Sequence, residues 1–217
     1  MTDRSFSSLP PTGQALPQWD PLLRLAHWGL AAVVLANQVF TKAGGSVHVA
    51  LGWAGMALLI LRLIWGLVGP REARFASFPP NPLAALRHMA GLMRGRVGHY
   101  PSHNPAGALM AYALWACLAV IILTGLAMNS ASPMVQAELE AAVAAGDWSM
   151  VGKAEEEDDE AGFALVNGEV FEEVHEVAAN LIVFLAFLHV AGVLVESRVM
   201  GRNLLRPMLL ARGGRKS

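Results

Sequence analysis

Four long apolar runs, separated by polar segments, set the pattern of this chain. They cover residues 21–40, 47–68, 105–128 and 175–195. A helix needs about 20 apolar residues to cross a hydrocarbon core of about 30 Å. Each run is long enough, so the pattern predicts an all-α protein, a four-helix transmembrane bundle. We find no repeat with a period of 20 to 50 residues.

The composition agrees with a membrane protein. Hydrophobic residues make up 54% of the chain and charged residues 15%, whereas a soluble domain has about 25% charged residues. Cys117 is the single cysteine. A lone cysteine excludes an internal disulfide, a covalent C-x-x-C-H haem site and a Cys₄ iron–sulfur cluster.

The arginines are segregated, and this predicts the topology. They cluster between the second and third runs, after the fourth run and near the start of the first, whereas the other two connections carry only Lys42 and Lys153. By the positive-inside rule, both termini and the second connection are predicted to be cytoplasmic. The predicted organisation is a cytoplasmic polar tail (1–20), a membrane domain (21–200) with an extracytoplasmic loop (129–173), and a basic cytoplasmic tail (201–217).

The extracytoplasmic loop is strongly acidic. It holds twelve of the seventeen Asp and Glu residues, six of them in the run 155–160. Such a run is usually a solvated segment, but it could also attract a basic soluble redox protein such as a cytochrome c. Ser132 as an N-cap and Pro133 at the first helical position predict a short helix in this loop.

Four histidines lie in the apolar runs and sort into two pairs by depth. His48 and His175 open their helices at the outer face, and we call them the outer pair; His27 and His189 lie toward the cytoplasm and form the inner pair. His175 and His189 are fourteen residues apart. This is about 3.9 helical turns and about 21 Å, so both rings project from nearly the same face of one helix.

Two imidazoles from facing helices, present twice, fit a haem iron with two axial histidines best. Zinc would need further ligands, and neither pair has an evident second pair at its depth, although Glu176 could add one oxygen outside. Interhelical hydrogen bonding by membrane histidines is the structural alternative. For the remaining histidines, His88, His99 and His103, we expect surface or interfacial positions, with His99 and His103 as candidates for a quinone or partner site.

The chain resembles the bacterial cytochrome b561 family, which includes the b-type cytochrome subunits of nickel–iron hydrogenases. The resemblance is carried by WDPLLRLAHWGLAA, HVALGWAGMALLILRLIWGLVGPREARFASF, SHNPAGALM and VHEVAANLIVFLAFLHVAGVLVES. It implies two b haems between the four helices and electron relay between a quinone pool and other redox centres. It also implies His27, His48, His175 and His189 as the axial ligands.

Two arginines are candidate haem contacts. Arg62 lies fourteen residues after His48, and Arg24 lies one turn before His27. If an inner haem is present, each could bind a propionate; alternatively, a long cationic side chain near a helix end simply extends to the interface. Gly52, Gly55 and Gly125 could allow either close helix packing or the approach of a porphyrin.

The predicted function is therefore that of a di-haem membrane cytochrome. Two histidines on each iron leave no open coordination position, which favours electron transfer over substrate activation. Its partners would be the quinone pool, with quinone oxidoreductase activity as one outcome, and a soluble cytochrome c or a dehydrogenase or hydrogenase. The alternative is a non-haem helical transporter that uses its histidines for protons or a metal.

Overall fold

The computed structural model describes residues 19–96, 100, 103–128, 133–148, 168–201 and 203–209. Seven α-helices lie in these ranges, and no strand occurs there. They are α1 (Pro21–Phe40), α2 (Ser46–Val68), α3 (Pro82–Met93), α4 (Pro105–Met128), α5 (Pro133–Ala144), α6 (Gly168–Met200) and the short α7 (Arg206–Leu209). The polar tail up to residue 18, the acidic run 155–160, His99, the predicted N-cap Ser132 and most of the basic tail lie outside the described residues.

The four long helices α1, α2, α4 and α6 are each apolar and long enough to cross a membrane. The predicted all-α transmembrane bundle is thereby confirmed. α6 begins at Gly168 and ends at Met200, beyond both limits of its apolar run. Because 33 residues of helix extend about 50 Å, its glutamate-rich first turns reach past the hydrocarbon core.

Local capping explains where α1 and α4 begin. Asp20 precedes Pro21, and its Oδ1 accepts hydrogen bonds from the backbone N–H groups of Leu22 (2.9 Å) and Leu23 (3.2 Å). Asn104 precedes Pro105 in the same way, and its Oδ1 accepts from Gly107 N. A side-chain acceptor followed by proline satisfies and pre-forms a helix start.

The core lies mid-bundle, where α4 packs along α6. Leu59, Cys117, Leu118, Ala178 and Ile182 form this buried cluster. The Cys117 thiol donates to the carbonyl oxygen of Ala178 at 3.1 Å, so this cysteine is a buried part of the α4–α6 contact. Only 11–17% of the residues in the most apolar part of each span are buried inside the bundle.

Two shorter helices cover the ends of the bundle. α3 follows α2 and packs on α4 through its buried residues Ala85, His88 and Leu92. α5 begins at Pro133, as predicted, and packs on the start of α2. We call the side that carries the connection 69–104 the arginine-rich end and the opposite side the α5 end.

Candidate haem-binding sites

The four membrane histidines stand as two facing pairs. The ring centres of the outer pair, His48 on α2 and His175 on α6, are 6.2 Å apart. Those of the inner pair, His27 on α1 and His189 on α6, are 6.1 Å apart. Two metal–nitrogen bonds of about 2.0 Å each, with about 1.1 Å from each nitrogen to its ring centre, give about 6.2 Å. Both pairs therefore have the spacing of two imidazoles on one metal ion.

The outer pair lines a cleft between α1, α2, α4 and α6. The cleft contains about 830 Å³ of space not filled by atoms, part of it open to the surroundings. Apart from the histidines, its walls are mainly apolar, among them Val33, Trp53 and Leu118. An apolar, slot-like cleft with two facing imidazoles suits a porphyrin.

The three glycines of this cleft differ in what surrounds them. A Cβ built on Gly52 meets no atom within 4 Å, so this residue borders open space. A Cβ on Gly55 would lie 3.2 Å from Val33 of α1, and one on Gly125 would lie 3.3 Å from the His175 ring. Gly55 thus allows close helix packing, Gly125 leaves room for a histidine, and Gly52 leaves room in the cleft.

Hydroxyl groups contact both outer histidines. Thr41 Oγ1, just after α1, lies 3.2 Å from His48 Nδ1. Thr124 Oγ1, in α4, lies 3.0 Å from His175 Nδ1. Asn37 completes the network around His48, because its Nδ2 donates to the His48 carbonyl oxygen at 3.3 Å.

Arg62 is buried at the arginine-rich end of the bundle, with 5% of its surface exposed. Its guanidinium lies 4.5 Å from the ring centre of Trp115 and 5.1 Å from that of Phe75. Nη2 donates to the carbonyl oxygen of Ala73 at 3.4 Å, whereas Nη1 is buried without a hydrogen-bond partner among the described residues. Arg62 therefore does not simply extend to the surface.

Arg24 shows the same feature. Its Nε is also buried and lacks a hydrogen-bond partner in the described part of the chain. Buried donors normally find a partner, and a charged one without it costs free energy. Two such arginines suit an anionic group bound at this end, and haem propionates supply such groups.

A family model describes the chain closely. The model for prokaryotic cytochrome b561 matches residues 18–210. The chain belongs to the prokaryotic cytochrome b561 family. The resemblance inferred from the sequence is thus confirmed, and membership of this family implies binding of haem b and a role in electron transfer. No solved structure matches the chain.

In this member of the b561 family, His103 packs against aromatic side chains at the arginine-rich end and does not lie in an exposed loop. Its ring centre lies 4.4 Å from that of Phe78 and 4.7 Å from that of Trp19. Burial lowers the pKa of His103 to about 4, and the Arg62 charge and the inner histidines add to this effect. His103 is therefore neutral at physiological pH.

The expected surface position was wrong for His88. This residue is buried on α3, and its Nε2 lies 3.7 Å from Glu196 Oε1 of α6. Glu196 also accepts a hydrogen bond from Asn104 Nδ2. The sequence suggested a polar connection, but α3 folds back onto α4, and this buries one face of the helix.

No group of three or more His, Cys, Asp or Glu side chains suited to hold a metal ion occurs in the described ranges. The outer pair with Glu176 does not form a zinc site there. Two-histidine sites agree better with haem, whose porphyrin would supply the remaining ligands of the iron.

Proposed function

We propose that the chain is a di-haem b-type cytochrome that relays electrons across the bacterial inner membrane, between the quinone pool and a redox partner. The observation that supports this best is the presence of two facing histidine pairs with nearly equal ring separations, 6.2 and 6.1 Å, in one b561-family bundle. Because α6 supplies one histidine to each pair, the two sites are stacked along a single helix.

Different residues would hold each of the two haems. His48 and His175 would hold the outer haem, and His27 and His189 the inner one. Arg62 and Arg24 would bind propionates of the inner haem through their unpartnered nitrogens. When bound, each haem would supply an iron that accepts and releases one electron.

The positive-inside rule supports an orientation with the arginine-rich end in the cytoplasm. The outer haem would then lie toward the periplasm. The described glutamates of the α5 end, namely Glu138, Glu140, Glu169, Glu172, Glu173 and Glu176, are all exposed. They add to the acidic run 155–160, and together they favour a basic soluble partner such as a cytochrome c.

The cofactor proposal is tested on the purified protein. We expect a reduced-minus-oxidised spectrum with a sharp b-type Soret band, and a pyridine haemochrome assay that gives two haems per chain. His189→Ala should remove the inner haem and retain the outer one, and His175→Ala should do the reverse. His88→Gln is the control, because this histidine belongs to neither pair, and it should retain both haems.

Two results would contradict the proposal. Absence of a Soret band would favour the transporter alternative, in which histidines carry protons or metal. Loss of both haems, or of neither, in His189→Ala would show that the pairing is wrong.

The partner proposal needs a separate experiment. Reduced protein is mixed with a basic cytochrome c in a stopped-flow instrument at increasing salt. We expect the bimolecular rate to fall steeply with ionic strength and to fall again when residues 155–160 are neutralised to Gln and Asn. A bimolecular rate that is unaffected by salt and by neutralisation of residues 155–160 would exclude electrostatic docking at this surface.

A further inference from the structure

Thr41 and Thr124 occupy equivalent positions around the outer pair. Each threonine lies outside the helix that carries its histidine: Thr41 follows α1 and faces His48 of α2, while Thr124 belongs to α4 and faces His175 of α6. Each contact joins a hydroxyl oxygen to Nδ1 at 3.0–3.2 Å. The same arrangement therefore arises twice, from two unrelated segments.

The direction of these hydrogen bonds follows from the rest of the network. A threonine hydroxyl has a single hydrogen to donate. Thr124 donates it to backbone, since Oγ1 lies 2.8 Å from the carbonyl oxygen of Val120 and 3.1 Å from that of Ile121. Thr41 similarly donates to Asn37, whose carbonyl oxygen lies 2.9 Å and whose Oδ1 lies 3.3 Å from Thr41 Oγ1. With its hydrogen used, each hydroxyl oxygen accepts a hydrogen bond from the histidine, and the backbone of Ile121 is a second hydrogen-bond partner of the His175 ring.

This assignment fixes the tautomer of both outer histidines. If Nδ1 carries the hydrogen, the lone pair of a neutral imidazole resides on Nε2. Ligand histidines commonly have such a partner on the second nitrogen, which sets ring orientation and ligand strength. A neutral hydroxyl accepts more weakly than a carboxylate, so the ligand keeps the character of an imidazole.

We infer that Thr41 and Thr124 are positioning residues of the outer haem site: they hold His48 and His175 as Nδ1–H tautomers and direct each Nε2 toward the iron. The inference deepens the proposed function and depends on it, because it takes the outer pair to be the axial ligands. It adds a control over ligand strength at one of the two haems.

The variants Thr41→Val and Thr124→Val remove the hydroxyl with little change in shape. We expect the dissociation constant of the outer haem to rise by about 10- to 100-fold, the range typical of lost partners of metal-bound histidines. The outer haem's midpoint potential should shift upward, because a weaker imidazole donor stabilises ferric iron less. The outer haem's highest g value in the EPR spectrum should also move.

The inner haem serves as a control within each molecule, and its potential and EPR signal should stay unchanged. Thr41→Ser and Thr124→Ser keep a hydroxyl and should restore the wild-type outer signals. Thr41 lies beyond the end of α1, so its replacement should disturb the membrane helices less than replacement of Thr124. Thr41→Val can therefore decide the question alone if Thr124→Val accumulates poorly.

If the threonines were merely structural, the Val variants would change protein yield but not the midpoint potential or the g values of the outer haem. Val variants with wild-type outer potential and EPR spectrum would overturn the inference, as would Ser variants that behave like the Val variants. A wild-type protein without two bis-histidine haems would instead refute the proposed function, so the two failures are distinguishable.

Discussion

Gly52 offers the sharpest test of where the outer haem lies. This residue is one turn beyond His48 on α2 and lines the outer cleft, where a Cβ would meet no atom within 4 Å. Glycine inside a helix costs about 1 kcal/mol relative to alanine. Judged from the protein alone, Gly52→Ala should therefore raise stability, and Gly52→Leu should also be accommodated.

A porphyrin between His48 and His175 reverses the expectation for leucine. The new side chain would enter the volume that the macrocycle needs, and overpacking of this kind costs about 1–3 kcal/mol or more. This corresponds to a loss of outer-haem affinity of about 5- to 150-fold. The inner pair lies at a different depth along the helices, so the inner haem should bind with wild-type affinity.

The assay is a haem-to-protein ratio combined with a redox titration. Gly52→Leu should lower the ratio from two toward one and remove the outer haem's wave from the titration. Gly55→Ala is the matched control: its Cβ would lie 3.2 Å from Val33 of α1 and not in open space, so it should keep both haems. Two fully bound haems with wild-type potentials in Gly52→Leu would refute the reasoning.

Three further outcomes can be measured. Arg62→Met should reduce the binding free energy of the inner haem by about 1.5–3 kcal/mol, as expected for a lost hydrogen bond to a charged group. A haem-transfer assay should show unchanged binding of the outer haem, and unchanged binding of the inner haem would favour a purely structural arginine. Glu140→Gln should loosen α5 from α2 at neutral pH, as read from a spin-label distance, whereas the exposed Glu138→Gln should not. Ile182→Ala, in the buried core, should cost about 2–5 kcal/mol in denaturant unfolding, while the lipid-facing Leu181→Ala should cost far less.

The Glu140 prediction includes a pH dependence with a definite sign. Hydrogen bonds from the Ser46 backbone N–H (2.6 Å) and hydroxyl (2.8 Å) lower the pKa of Glu140 below its usual 4.5. A carboxyl group with a lowered pKa stabilises the folded state above its ordinary pKa and loses this effect as the pH falls through the lowered value. The wild-type α5 should therefore detach only below about pH 4.5, and Glu140→Gln should show no such transition. Release of the wild-type helix at neutral pH would contradict this.

Much of the bundle could be predicted from residue types and spacing. Apolar length predicts the four spanning helices, and the fourteen residues between His175 and His189 predict that both project from one face. The structure brings each of these histidines opposite the partner expected from depth. Their role as haem ligands stays a prediction, as does the role of Arg24 and Arg62 toward propionates.

The features that the sequence did not reveal depend on contacts between distant segments. His88 appeared to lie in a polar connection, and nothing near it in sequence shows that Glu196 would meet it in a buried position. Hydropathy placed the start of α6 at its first apolar residues, although the backbone continues as a helix through the preceding glutamates. Thr124 was the one polar residue of an otherwise apolar span and could have been noticed for that reason.

Phe75 was missed in the same way. Its ring lies over Gly66, where any Cβ would overlap it, and also covers Arg62. The connection after α2 therefore closes the arginine-rich end over a buried charge. Only a glycine at position 66 allows this, and a sequence alone does not show which aromatic residue will lie there.

The pairing of helices also determines when the protein can become functional during its synthesis. Each histidine pair joins a residue of the first hairpin, α1 or α2, to a residue of α6, which leaves the ribosome after the other three spans. Neither site exists until that helix has entered the membrane. A nascent chain thus carries two unmatched histidines through most of its insertion. If the pairs are the haem ligands, as proposed, a truncated product that lacks α6 would hold no haem.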